Sequence, residues 1–146
     1  MDIQELVTEF HEKYNLSVNF TDDEIIYEDA GDGVFATELD YRQDLITEEF
    51  HETLEAFDEL YNVLNETNLD EEEYVNAHKH LLKELCDLVY VCVGTAISFG
   101  YDFDTAFRRV HESNMTKTGG IVSGKLTKGE NYNPPVLDNY VYIYKD

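Results

Sequence analysis

The apolar residues of this chain fall into helical patterns separated by turn signals. Residues 2 to 14 place Ile3, Leu6, Val7, Phe10 and Tyr14 at three- and four-residue intervals, which predicts a short amphipathic helix. A second, longer pattern occupies about residues 38 to 66. On a wheel at about 100° per residue, Leu45, Ile46, Phe50, Leu54, Ala56, Phe57, Leu60, Tyr61, Val63 and Leu64 share one wide arc. Only Glu49 and Thr53 interrupt it, while Thr47, Glu48, His51, Glu52, Glu55, Asp58, Glu59 and Asn62 lie outside. Asn65 to Asp70 read as a turn, with Asn68 or Asp70 as cap, before a third helix over about 71 to 98 that Gly100 stops. A fourth helix, capped by Asp102 or Asp104, aligns Phe103, Phe107, Val110 and Asn114. Between the first two helices, residues 15 to 37 mix Asn, Asp and Gly with short β-branched runs, and Asp29 to Gly33 signal a loop.

The third helix contains an apolar run, Leu85 to Ile97, that only Asp87 breaks, with Glu84 one turn before it. A carboxylate buried in such a helix is desolvated at high cost unless a cation compensates it. Glu84 and Asp87 are three apart and share a helix face. Glu49 points with the apolar arc of the preceding helix, and Glu52, one turn on, sits at its edge. Two consecutive helices therefore aim carboxylates inward, as a metal site requires. A helix apolar all round is normally covered on every side. The expected architecture is all-α: an antiparallel helical bundle completed by oligomerisation, with an extended C-terminal tail. Residues 1–146 form one domain on this reading, with a helical core of about 38–117 and a tail of 118–146.

Composition narrows the function. Thirty-two Asp and Glu against ten Lys and Arg leave a net charge of −22, which repels a phosphate polymer. A small phosphorylated ligand remains compatible if a divalent ion reverses the local sign. Cys86 and Cys92 match neither a redox pair nor a zinc spacing, and are expected to be small core residues kept reduced in a cytoplasm. Met1 to Glu5 show no basic region followed by an apolar stretch, so no secretory leader is expected, and the Leu85–Ile97 run is too short for a membrane span. After Met115 the chain changes character: Gly119, Gly120, Gly124 and Gly129 lie among Lys117, Lys125 and Lys128, followed by Pro134-Pro135. Tyr140 to Tyr144 alternate aromatic and β-branched residues, suiting a strand or an arm lying on a partner.

Glu48-Glu49-x-x-Glu52 followed by Glu84-x-x-Asp87 on the next helix resembles the EExxE and ExxD motif pair of the all-α nucleotide pyrophosphohydrolases, which include the MazG proteins, phosphoribosyl-ATP pyrophosphohydrolase and the dimeric dUTPases. Gly94 to Gly100, Val110 to Lys117 and Gly124 to Pro135 look like the small MazG-like proteins of phages, so the resemblance covers roughly residues 40 to 137 and, weakly, Phe10-His11-Glu12. It implies a Mg²⁺-dependent enzyme, with Mn²⁺ as a substitute, that cleaves a nucleoside triphosphate to the monophosphate and pyrophosphate for nucleotide-pool control. Glu49, Glu52, Glu84 and Asp87 would hold the metal through the hard oxygens Mg²⁺ prefers. Glu48 would orient or deprotonate the attacking water, its alternative being a solvated surface glutamate. Asn114 and Lys117 match positions that contact phosphates, or else belong to a helix C-terminus; Lys128 and Tyr132 would close over substrate.

The likeness to phage relatives implies a dGTP or GTP preference, while the helix apolar all round implies a homo-oligomer, dimer or tetramer, and the charge and the short apolar run leave no nucleic-acid or membrane partner expected. A dUTPase or dCTPase is the nearest alternative, although the larger dimeric dUTPases carry helices for which this chain has no room. Phosphoribosyl-ATP ranks behind as a substrate, because the enzymes acting on it are typically shorter and lack the Lys128–Pro135 tail. From another class comes a non-enzymatic acidic DNA mimic, which needs exposed acids and has no use for inward-facing ones. Tyr90, one turn after Asp87, reads either as a group bonded to a ligand carboxylate or as core. His51, His78, His80 and His111 are dispersed, and Lys83 reads as a surface residue.

Overall fold

The computed structural model describes residues 2–19 and 38–141; most of the loop expected over 15–37, and Tyr142 to Tyr144 of the C-terminal alternation, lie outside the described residues. The architecture is all-α. Helices α1 (Ile3–Lys13), α2 (Glu38–Leu64), α3 (Glu71–Ser98) and α4 (Phe103–Asn114) stand within two residues of their expected bounds. Their ends follow from local chemistry. Asp2 and Glu5 form a reciprocal capping box at α1, and the Asp70 carboxylate accepts from the N–H groups of Glu72 (2.8 Å) and Glu73 (3.0 Å) at α3. Asp102, rather than Asp104, caps α4 by accepting from Thr105 N–H. At the end of α3, Gly100 takes φ +73°, its N–H donates to Ile97 O, and Tyr101 N–H donates to Ala96 O at 2.8 Å. These are the two bonds of a Schellman motif, which needs the left-handed residue that glycine supplies.

The chain divides into two compact units, Phe20–Thr95 and Met1–Asn19 with Ala96–Asp146. In the first, α2 and α3 run antiparallel: the Thr53 hydroxyl meets Glu84 O, and Glu59, further along α2, meets His80, further back on α3. Arg42, Thr53, Ala56 and Val63 of α2, and Ala77, Glu84 and Val93 of α3, are buried. This seam is narrower than the arc read from the sequence. Phe50, Leu54, Phe57, Tyr61 and Leu64 are exposed in the chain, as are Val75, Leu82, Leu85 and Val89. Two helices can bury only one stripe of each other, so the remaining apolar positions face outward. Cys86, expected in the core, is exposed, and Cys92 is half-buried; both are free thiols.

In the second unit, α1 buries Val7 and His11, whereas Ile3, Leu6, Phe10 and Tyr14 of its expected apolar face stay exposed. The His11 Nδ1–H donates to Ser17 O at 2.8 Å, and the Ser17 hydroxyl pairs with that of Ser98. Asp104 N–H donates to the Gln4 side chain, joining α4 to α1. The tail is more ordered than a simple extended arm. Ile121–Val122 and Lys125–Leu126 form an antiparallel hairpin, and the two residues between them, Ser123 (φ +52°) and Gly124 (φ +76°), both adopt the positive φ of a type I′ turn. The tail then returns along α4, where Ser113 donates to Asn133 O at 2.6 Å. Tyr140 closes a short 3-10 turn, Asp138–Tyr140; its carbonyl accepts from Asp102 N–H and its hydroxyl from Arg109 Nε–H. Among the described residues no helix is long and apolar enough to cross a membrane.

Replacing Gly100 with Ala forces a side chain into left-handed backbone and brings its Cβ to 3.1 Å from Asn19 Oδ1. Chemical denaturation of Gly100→Ala is expected to show a loss of about 1–2 kcal/mol, and an unchanged midpoint contradicts the assigned helix end.

Candidate metal centre

The site is built where Thr53 of α2 meets the backbone of α3 at Glu84. Thr53, buried between them, donates its hydroxyl to Glu49 O one turn back at 2.7 Å and lies 3.3 Å from Glu84 O across the interface. Thr53 and Ala56 are buried on α2, and Glu84 on α3 has only 3% of its surface accessible. One carboxylate oxygen each from Glu49, Glu52 and Glu84 lies within 4.8 Å of the others. The Oε2 atoms of Glu49 and Glu84 are buried with no hydrogen-bond partner. Burial, then the charges of Glu52, Asp87 and Glu84, push the Glu49 carboxyl above the ordinary range. A cluster of this kind, three converging carboxylates of which two carry a buried oxygen without a donor, fits a hard divalent cation.

Asp87 stands differently from its expectation as the desolvated acid of the run. Its side chain is 39% exposed, and Glu84 instead occupies the buried position. Asp87 remains adjacent through Lys83, whose ammonium lies 2.7 Å from Asp87 Oδ2 and 2.9 Å from Glu84 Oε1. Those two carboxylates, Asp87 first, raise the lysine's proton affinity. Lys83 is mostly exposed, as expected, yet it is the local counter-charge of the cluster. Glu48 is exposed, beside Glu49 in sequence and outside the buried seam. Sequence reasoning also set His80 aside. Its Nε2 lies 3.2 Å from Glu84 Oε1, and its Nδ1 bonds the Glu59 carboxylate. The bond to Glu59 raises the imidazole's proton affinity, and the four-residue spacing from His80 to Glu84 was the available signal.

The remaining predicted residues lie in the unit that contains α4. Asn114 is the exposed last residue of α4, and Lys117, half-buried, donates its backbone N–H to Asn114 O at 3.1 Å. The Lys128 ammonium lies over the Tyr132 ring, 4.8 Å from its centroid, so these two residues are brought together as a cation–π pair.

The two antiparallel helices thus bring together carboxylates from both motifs, Glu49 and Glu52 of the first and Glu84 of the second. A family model described as phosphoribosyl-ATP pyrophosphohydrolase matches residues 7–114, and the chain belongs to that family, within the MazG-like all-α group. Its members hydrolyse a phosphoric anhydride and are typically dependent on a divalent metal. The matched span ends at the last residue of α4 and leaves the hairpin and returning tail outside it. No curated protein matches the chain.

Because the fold holds the Glu49 carboxyl above its unfolded range, this group favours the metal-free fold only at low pH, and that contribution is lost as pH rises through the folded value. In the presence of a chelator, Glu49→Gln is expected to stabilise the fold at neutral pH by about 1 kcal/mol and to flatten the decline between acid and neutral pH. Equal or lower stability in thermal unfolding contradicts the strained carboxylate.

Proposed function

We propose that this chain is a Mg²⁺-dependent nucleoside triphosphate pyrophosphohydrolase, converting a ribo- or deoxyribonucleoside triphosphate to the monophosphate and pyrophosphate. The observation that carries the reading is the pair of buried, donorless carboxylate oxygens of Glu49 and Glu84, from facing helices. Glu49, Glu52, Glu84 and Asp87 hold the ion, and Mn²⁺ substitutes for Mg²⁺. For Asp87 this requires its carboxylate to leave the Lys83 ammonium. A bound divalent ion supplies charge neutralisation along the phosphates and polarises the scissile anhydride. Glu48 accepts a proton from the attacking water as its oxygen bonds the α-phosphorus. The bond from that phosphorus to the bridging oxygen breaks, and pyrophosphate departs with the electron pair. The Asn114 amide and the Lys117 and Lys128 ammonium groups neutralise phosphate charge, with Tyr132 bracing Lys128. The whole chain acts as one enzyme unit in a cytoplasm, in nucleotide-pool control, with dGTP or GTP as the favoured substrate.

Pyrophosphate release from a panel of triphosphates with Mg²⁺ tests this reading. Glu84→Gln and Glu49→Gln are each expected to lower kcat by at least roughly 100-fold, and Asp87→Asn by less, since its carboxylate starts half-exposed. Activity at the wild-type level in both Glu variants, or orthophosphate in place of pyrophosphate, overturns it.

The working form on this proposal is a homo-oligomer. Support comes from the exposed rows Phe50, Leu54, Phe57, Tyr61, Leu64 and Val75, Leu82, Leu85, Val89, whose spacing suits packing of a second helix pair. Sedimentation of Phe57→Glu with Leu85→Glu is expected to give a smaller species than the wild type. A monomeric wild type contradicts it.

A further inference from the structure

Glu84 is held asymmetrically. Its Oε1 lies 2.9 Å from the Lys83 ammonium and 3.2 Å from His80 Nε2, whereas its Oε2 is buried with no hydrogen-bond partner among the described residues. The two groups differ in what anchors them. Lys83 is a long side chain, 63% exposed, attached to the residue beside Glu84 and shared with Asp87, so it can follow those carboxylates wherever they turn. His80 is short, sits one turn before Glu84 on α3, and is fixed at its far nitrogen by Glu59 of α2. The imidazole therefore links the two helices and holds Nε2 within ion-pair distance of one defined oxygen of Glu84.

We propose that His80, anchored by Glu59, is a positioning residue of the metal centre: it engages Glu84 Oε1 and thereby fixes the carboxylate with Oε2 turned toward Glu49 and Glu52 as the coordinating oxygen. The inference rests on the metal reading given above and extends it to two residues outside the acidic motif pair. The physical need is specific. A glutamate carboxylate rotates about its last bond through a broad, two-fold well, and four carboxylates near one another favour turning away. A ring anchored to the opposite helix and lying against Oε1 limits that freedom before the ion arrives, as partners of metal ligands do.

Two conservative variants separate the ends of the bridge. Gln at position 80 can place its amide near the site of Nε2, keeping the Glu84 contact and losing Glu59. Asn places its amide near Nδ1, keeping Glu59 and losing Glu84. Mn²⁺ titrated into the intact protein, with free ion followed by electron paramagnetic resonance, reads the effect. His80→Ala and His80→Asn are expected to weaken Mn²⁺ binding by roughly 10-fold or more, His80→Gln by about 3-fold or less, and Glu59→Gln by an intermediate amount. Melting of the chelated protein supplies the second measurement. His80 and Glu59 are 42% and 48% exposed, and their removal is expected to leave the metal-free transition close to that of the wild type. Equal loss in the Gln and Asn variants, or losses that follow the metal-free melting temperature, overturns the positioning role. Wild-type binding with no change in any variant overturns it too, leaving the metal centre intact. A wild type that takes up no Mn²⁺ overturns the metal reading and this proposal together.

Discussion

Where α2 and α3 pair through Thr53, two carboxylate oxygens are buried with no hydrogen-bond donor among the described residues. This constraint organises the unit around it. An unpaired buried acceptor on a charged group is among the most costly features a small domain can carry. Here there are two, Glu49 Oε2 and Glu84 Oε2, on helices that could have met through leucines. Phe50, Leu54 and Phe57 lie on the same helix as Glu49 and are left exposed in the chain. The inter-helix seam of α2 is instead given to Thr53, Ala56 and the acids. Glutamates at the seam and phenylalanines outside it amount to stability exchanged for a charged site.

Counter-charge is distributed accordingly. Lys83 and His80 meet the outward oxygen of Glu84, and Lys83 also meets Asp87. Neither hydrogen-bonds to the two orphaned oxygens, which suit an ion that brings its own charge. The other compact unit contains a basic stretch. Between Ser113 and Gly129, Lys117, Lys125 and Lys128 occur without a single acid, in a protein whose net charge is −22. A ligand with several negative charges suits such a segment, and the family to which residues 7–114 belong acts on a phosphoric anhydride.

The helices and their ends were legible because each carries its own chemical punctuation: Asp2 with Glu5, Asp70, Asp102 and Gly100. Glu49 was legible because it breaks the apolar arc of an amphipathic helix. The phase of α3 was not, since a run apolar on every side contains no periodicity to orient it. Asp87 was therefore expected to be the buried acid, although Glu84 holds that place. The partner that decides between them, Thr53, lies thirty-one positions away in sequence. His80 and Lys83 escaped for a related reason: their significance comes from Glu84 and Glu59, and only the pairing of α2 with α3 brings the latter near. The width of the apolar arc was misleading as a guide to the core, because it adds the seam between the helices to a second face that α3 does not cover. In the tail, the glycines and prolines announced irregular backbone, but the return of Tyr140 to α4 depends on contacts with Asp102 and Arg109 that no local pattern encodes.

The central claim is that the buried oxygens exist to hold a divalent ion. The most direct measurement is an anomalous difference map from crystals grown with Mn²⁺. The account predicts one or more strong peaks at about 2.0–2.3 Å from Glu49 Oε2 and Glu84 Oε2, with Glu52 within coordinating distance. A map without a peak there, with the same two oxygens bonded to protein donors or turned to solvent, would contradict it.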